Sequence, residues 1–290
     1  MPALGKEVAV ATRHIRRLRG ASQPILAEVN DGHLYVLKFA NPLQGPNLAF
    51  NESMGTELYR AVKLPVSPWR PVFVSDSFLD ENPECWIQTP AGLQRPIAGL
   101  CFGSRFLGDP GMRLLEILPG SALNRIRNRK DFWLAWLVDI CAGHTDNRQA
   151  IFREDLAGRL DAVFIDHGHM FGGPETDLKK TELGTRYLDR RVYEEIPTAQ
   201  FEALVRRLES LNVNRLWRGV RHAPGEWVTS LALKAFENAL CRMSDHLFVR
   251  KTAEGLQKLA ISKPTVKRDS WRVRPIGDNP IVRSLHFHIF

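Results

Sequence analysis

Gly143-His144-Thr145-Asp146-Asn147-Arg148-Gln149-Ala150-Ile151-Phe152, followed by Val163-Phe164-Ile165-Asp166-His167-Gly168, sets one acid beside an apolar run in each stretch. Twenty positions separate Asp146 from Asp166. An apolar segment ending in Asp-His-Gly predicts a strand that delivers a carboxylate to a turn, where glycine permits the sharp change of direction. Asp146 stands where an apolar helix, Phe132 to Cys141, gives way to a polar loop. Taken singly, each acid reads first as a helix cap or a turn aspartate. Held on loops off rigid elements, with a lysine upstream, the two together suit a base and a metal ligand in phosphoryl transfer.

That lysine is Lys38, the only charge in Leu34–Ala40, on a strand apolar on both sides. Such a residue either snorkels from an edge strand or points into a cleft. Its strand forms a predicted hairpin with Ile25–Val29 across Asn30-Asp31-Gly32. Asn51 to Leu64 has helical spacing and stops before Pro65. Glu52 near its start is the expected ion-pair partner of Lys38, with Glu57 as competitor. A strand lysine paired with a glutamate of the next helix is how protein kinases position nucleotide phosphates. Ahead of the hairpin, Gly20, Ala21, Ser22 and Gln23 form a small-residue loop whose amides can approach phosphate oxygens, although most such loops are plain turns.

Hydrophobic residues make up 44% and charged residues 25% of the 290 positions, as in an ordinary globular protein. No apolar run is long enough to span a bilayer, and Met1–Lys6 lacks the apolar core of a signal peptide. Cys85, Cys101, Cys141 and Cys241 lie far apart, which argues against structural zinc, fits a reducing cytoplasm and predicts buried thiols. The net charge is +8, but Arg250–Phe290 holds nine Lys/Arg against three Asp/Glu and so accounts for +6. The basic character belongs to a tail, for which a solvated extension is a commoner reading than nucleic-acid contact.

A further strand is expected at Pro71–Val74, Pro/Gly punctuation from Pro90 to Pro119 marks a connection, and helices are expected at Thr198–Leu211 and Glu226–Phe248. Seven tryptophans read as core. The expected fold is α+β and two-lobed. Residues 1–98 form a small β-rich lobe, 99–250 a larger helical lobe, and 251–290 a basic C-terminal extension whose apolar end, Leu285–Phe290, suggests folding back onto the body.

Several ordered segments carry a resemblance: Arg19-Gly20-Ala21-Ser22-Gln23-Pro24, Tyr35-Val36-Leu37-Lys38-Phe39, Asn51-Glu52, Leu64-Pro65-Val66, Phe102-Gly103-Ser104-Arg105-Phe106, Asp131-Phe132, Thr145–Phe152 and Ile165-Asp166-His167-Gly168. From about residue 14 to residue 250 the chain resembles the HipA-like kinases, relatives of a serine/threonine kinase toxin. The resemblance implies a protein-kinase-like fold with ATP and Mg²⁺ between its lobes. It implies that Lys38 holds the ATP phosphates, Glu52 orients Lys38, and the Gly20–Gln23 loop covers the phosphates. Asp146 then accepts the substrate hydroxyl's proton, and Asp166 binds the metal.

One departure concerns the second metal ligand. Related kinases place an Asn five positions after the catalytic acid; here that position is the apolar Ile151, and Gln149 is the nearest amide able to replace it. His144 reads as a hydrogen-bonded loop histidine before a proton relay. His144, His167 and His169 together make zinc conceivable, but their spacing is not that of a zinc motif. The expected activity is ATP-dependent transfer to a Ser/Thr hydroxyl of a protein. The alternatives are a pseudokinase that binds nucleotide or a partner without transfer, and the toxin of a pair whose antitoxin or regulator is a separate chain. Neither nucleic acid nor membrane is an expected partner.

Overall fold

The structure, a computed structural model, describes residues 8–39, 45–108, 112–174, 186–193 and 196–261. Strands β1 (Ala11–Arg17), β2 (Ile25–Val29) and β3 (Leu34–Lys38) run antiparallel in succession. The β2–β3 turn falls where Asn30-Asp31-Gly32 predicts it. Gly32 takes φ 76°, and Asp31 accepts from the His33 amide at 3.0 Å and the Tyr35 hydroxyl at 2.8 Å. β1 has no apolar alternation to announce it, because it is an edge strand carrying Arg13, Arg16 and Arg17.

Helix α1 (Leu48–Ala61) follows, then β4 (Trp69–Val74), α2 (Asp76–Glu81), the β5 (Ile87–Thr89) and β6 (Gly92–Gln94) ribbon, and β7 (Gly99–Arg105). The first sheet has the order β1-β2-β3-β7-β4. β7 is therefore an inner strand of the small lobe, bonded to both β3 and β4, and the expected boundary at 98/99 falls too early. The apolar break in the Pro/Gly-rich connection is this strand. α1 begins and ends three residues earlier than its spacing predicts. Beyond it Lys63 adopts φ 59°, and the Leu64 amide returns to the Tyr59 carbonyl at 2.8 Å.

The second half holds β8 (Arg113–Leu115), α3 (Asp131–Ala142), β9 (Gln149–Glu154), β10 (Leu160–Ile165), α4 (Thr198–Glu209), α5 (Val213–Gly219), α6 (Ser230–Ser244) and α7 (His246–Ile261). β8, β9 and β10 form a separate antiparallel sheet. α3 is buried on nearly every side, which explains its continuous apolar sequence. Gly143, at φ 76°, ends it, with the His144 amide bonded to the Asp139 carbonyl at 2.8 Å.

The helix expected over Glu226–Phe248 is two helices. Thr229 caps α6 through the Ala232 amide at 3.0 Å. Asp245 then interrupts the run and accepts from the Leu247 and Phe248 amides at 3.0 and 3.1 Å. α7 carries the packed body past residue 251, since Leu256 is fully buried. The remainder of the expected extension, including Leu285–Phe290, lies outside the described residues. Cys85, Cys101 and Cys141 are buried, whereas Cys241 is exposed on the outer face of α6. Trp217 is likewise 43% exposed, stacked on Phe236 rather than enclosed. Among the described residues no helix is long and apolar enough to cross a membrane.

Two hydrophobic cores result. One backs the first sheet through Ile25, Leu37, Val72 and Val74. The larger holds the second half together and also includes Phe50, Met54, Leu58 and Tyr59 of α1. α1 thus belongs to the small lobe in sequence but packs into the large core. Its buried face reaches the residues around Asp166.

Candidate active site

Lys38 ends β3 with its ammonium between two carboxylates. It donates to Glu52 Oε1 and, at 2.8 Å, to Asp166 Oδ1. The Lys38 and Glu52 side chains are 10% and 2% exposed, and that of Asp166 is 25% exposed. Burial works against the Lys38 cation, but the charges of Asp166 and Glu52 more than offset it, and Lys38 is held above its ordinary value. Burial also works against the Asp166 anion. Lys38 again prevails, keeping this carboxyl well below the usual carboxylate range and ionised at neutral pH. Glu52 is pushed up by burial, with Lys38 pulling the other way. Glu57, the competing partner, is engaged elsewhere: it accepts from Trp69 Nε1 at 2.8 Å and from Arg60 at 2.7 Å.

The strand end presents Asp166 in a particular way. Asp166 has φ 62°, a left-handed conformation that a non-glycine residue seldom adopts and that Asp tolerates better than most. The turn is stitched to α1: the His167 amide donates to Glu52 Oε2 at 3.0 Å and Asn51 Nδ2 to the Gly168 carbonyl at 3.0 Å. A Cβ on Gly168 would stand 2.4 Å from Leu48 Cδ1 and 3.1 Å from Glu52 Oε1, so glycine permits this approach.

Gln149 opens β9 opposite Ile165 and donates through Nε2 to Asp166 Oδ2 at 2.7 Å. Ile151, two residues on, pairs with Val163 and lines the cleft as an apolar surface. The strand begins so soon after Asp146 that the amide beside Asp166 comes three residues after the acid rather than five. Asp146 itself is half-buried, with Oδ1 accepting from the Asn147 amide at 2.6 Å, and it is not among the residues lining the cleft.

His144 is 1% exposed and sits between the two acidic loops, with Nδ1 2.7 Å from the Asp146 carbonyl and Nε2 3.4 Å from that of Asp166. Burial and the neighbouring Arg148 lower its pKa to about 4, so the ring between the two loops is neutral at pH 7. Among the described residues, no group of three or more His, Cys, Asp or Glu side chains is placed to hold a metal, so the histidines do not gather as a zinc site.

The cleft lies between the first sheet and the β9–β10 hairpin. Val36, Phe102 and Phe164 join Ile151 as apolar walls, and Lys38, Glu52, Asp166 and Gln149 form the polar end. Of the small-residue loop, which spans the gap between β1 and β2, Gly20 and Ser22 line the cleft. Ala21 is exposed and Gln23 turns away. Gln23 Oε1 accepts from Arg17 at 2.5 Å and from the Gln88 amide at 2.8 Å, fastening the loop to β5. Gln23 is thus a fastener of the loop rather than part of the cleft lining.

A buried group that the motifs did not disclose lies beneath these loops. Arg148 forms a two-pronged ion pair with Asp139 of α3 at 2.8 and 2.7 Å, both side chains being almost fully buried. Tyr59 donates its hydroxyl to Asp139 at 2.6 Å and lays its ring 4.8 Å from the Arg148 guanidinium. The available signal was Asp139 itself, the one charge within the apolar run Phe132–Cys141. It is the same kind of signal that singled out Lys38.

No protein-family profile and no curated protein matches the chain. Solved structures do. A proinflammatory kinase of Helicobacter pylori, CtkA, superposes with a TM-score of 0.54 at 12% identity over 83% of this chain and 95% of its own. The hydra Fam20 structure with sugar gives a TM-score of 0.53 at 12% identity over 87% and 88%. The Golgi casein kinase, in a structure with Mn and ADP bound, gives 0.50 at 11% identity over 88% and 75%. The chain has a kinase-like α+β fold, with a β-sheet N-terminal region and a helical C-terminal part.

Proposed function

We propose that the protein is an ATP-dependent phosphotransferase of HipA-like type acting on a Ser/Thr hydroxyl of a protein. The observation that carries this reading is the buried Lys38 between Glu52 and a left-handed Asp166, at the polar end of an apolar-walled cleft. A flat base suits the Val36 and Ile151 walls, and phosphates suit the Lys38 end beside the Gly20–Ser22 backbone. The donor set also fits a divalent cation such as Mg²⁺: an ionised carboxylate at Asp166 and an exposed amide oxygen at Gln149, once its side chain turns over. When bound, that cation supplies charge neutralisation for the phosphates. In transfer, the acceptor oxygen bonds to the γ-phosphorus as the bond to ADP breaks, and Asp146, which does not itself line the cleft, takes the hydroxyl proton from an acceptor that enters past its loop. The test is incubation with γ-labelled ATP and Mg²⁺ in the presence of lysate proteins. Label is expected on serine or threonine of the protein itself or of a lysate protein. Asp146→Asn should bind nucleotide as the parent does yet lower transfer at least about 100-fold. An unlabelled reaction with intact nucleotide binding favours the pseudokinase alternative, for which the missing Asn at Ile151 speaks.

A further inference from the structure

Asp139 and Arg148 are deeply buried charges that do not face the cleft. A packing role alone does not explain them, because apolar side chains of similar volume often replace a buried ion pair without loss. The explanation lies in what the guanidinium does with its remaining donor. While Nε and Nη2 grip Asp139, Nη1 donates to the Ile165 carbonyl at 2.8 Å and the Asp166 carbonyl at 3.2 Å. These two carbonyls flank the left-handed Asp166. Successive carbonyls point the same way in helical backbone of either hand and alternate in extended backbone. One donor reaching both therefore selects the turned conformation; an extended Asp166 would swing one carbonyl away. Nη1 also lies 3.3 Å from His167 Nδ1.

We propose that Arg148, held in place by Asp139, is a positioning residue that holds Asp166 in its turned, non-extended conformation and so aims its carboxylate into the cleft. The consequence for cation binding rests on the phosphotransferase reading; the conformational claim does not.

The experiment uses the full chain carrying Asp139→Leu together with Arg148→Met, which removes both charges at similar volume, and separately Arg148→Lys, which keeps the charge but loses the fork. Folding is followed by melting, Asp166 backbone geometry by its ¹³C chemical shifts, and ADP affinity by calorimetry with and without Mn²⁺. The expected result for both variants is a folded protein whose Asp166 shifts leave the left-handed range. The gain in ADP affinity from Mn²⁺ should fall about tenfold, with metal-free affinity within about twofold of the parent. Should the double variant fail to fold, the lysine variant decides by the same readings. A folded variant that keeps left-handed shifts at Asp166 overturns the proposal. If the parent shows no ADP binding, the phosphotransferase reading falls, and the Asp166 shifts still decide this one.

Discussion

Lys38 is the single cation between Glu52 and Asp166, so replacing it leaves two carboxylates facing each other in a buried site. Lys38→Met should therefore destabilise the protein by about 3–5 kcal/mol at neutral pH as well as weaken nucleotide binding. The sign of its pH dependence follows. Without Lys38 the folded-state pKa values of both carboxyls rise above their unfolded values. The variant is then least stable at high pH and regains ground as pH falls and one carboxyl takes a proton. In the parent, Lys38 holds the folded Asp166 pKa down, so Asp166 contributes stability above its unfolded value and loses it on acidification. Denaturant titrations of both proteins between pH 4 and 8 check this. A gap that stays constant, or widens as pH falls, contradicts it. Lys38 was legible because a lone charge in an apolar strand needs a partner. Its second partner, Asp166, lies 128 positions away, beyond the reach of any local pattern.

At the scale of elements, α1 carries the constraint. Gly55 sits mid-helix, where exchange for alanine ordinarily stabilises by about 1 kcal/mol. Here an added Cβ would stand 2.5 Å from His167 Cβ and 2.6 Å from Met170 Sδ, so Gly55→Ala drives the helix off the Asp-His-Gly turn. The expected outcome is a loss of about 1–3 kcal/mol and weaker nucleotide binding, because Glu52 and its bond to the His167 amide move with the helix. Chemical denaturation and calorimetry give the two numbers; a stabilised variant with parental affinity refutes the argument. Helix spacing predicted the existence of α1, and a continuous apolar run that of α3. Spacing could not separate α6 from α7, because apolar residues recur at helical intervals on both sides of Asp245 with no Pro or Gly between them. That break shows only in a polar cap whose amide partners are a structural fact.

For the whole molecule, the cleft is bounded by the first sheet above and the β9–β10 hairpin below, so a ligand there ties the two halves together. Nucleotide with Mg²⁺ at about 100 times its dissociation constant should stabilise the fold by about 2.7 kcal/mol, a rise in Tm of roughly 5–10 °C. Asp166→Asn should abolish the Mg²⁺-dependent part of that rise while leaving a smaller nucleotide-only shift through Lys38. Thermal melting with nucleotide alone, Mg²⁺ alone and both separates these terms. An Asp166→Asn protein with the full parental shift removes Asp166 from the cation site.

What the sequence determined by itself are features set by neighbours in the chain: the Asn30-Asp31-Gly32 hairpin, the apolar α3, a strand ending in Asp166, and a charge at Lys38 that demanded company. The order of those segments predicted a β-rich N-terminal part and a helical C-terminal part, and the kinase-like fold was what the family resemblance implied. Only the tertiary structure decided that β7 enters the first sheet, that Gln149, already the candidate amide, bonds Asp166 directly, and that Arg148, paired with Asp139, reaches the carbonyls of the turn. The physical reason is common to all three. Periodicity reports which face of an element is buried, whereas the choice of partner depends on how remote elements pack and on where strand β9 starts its register.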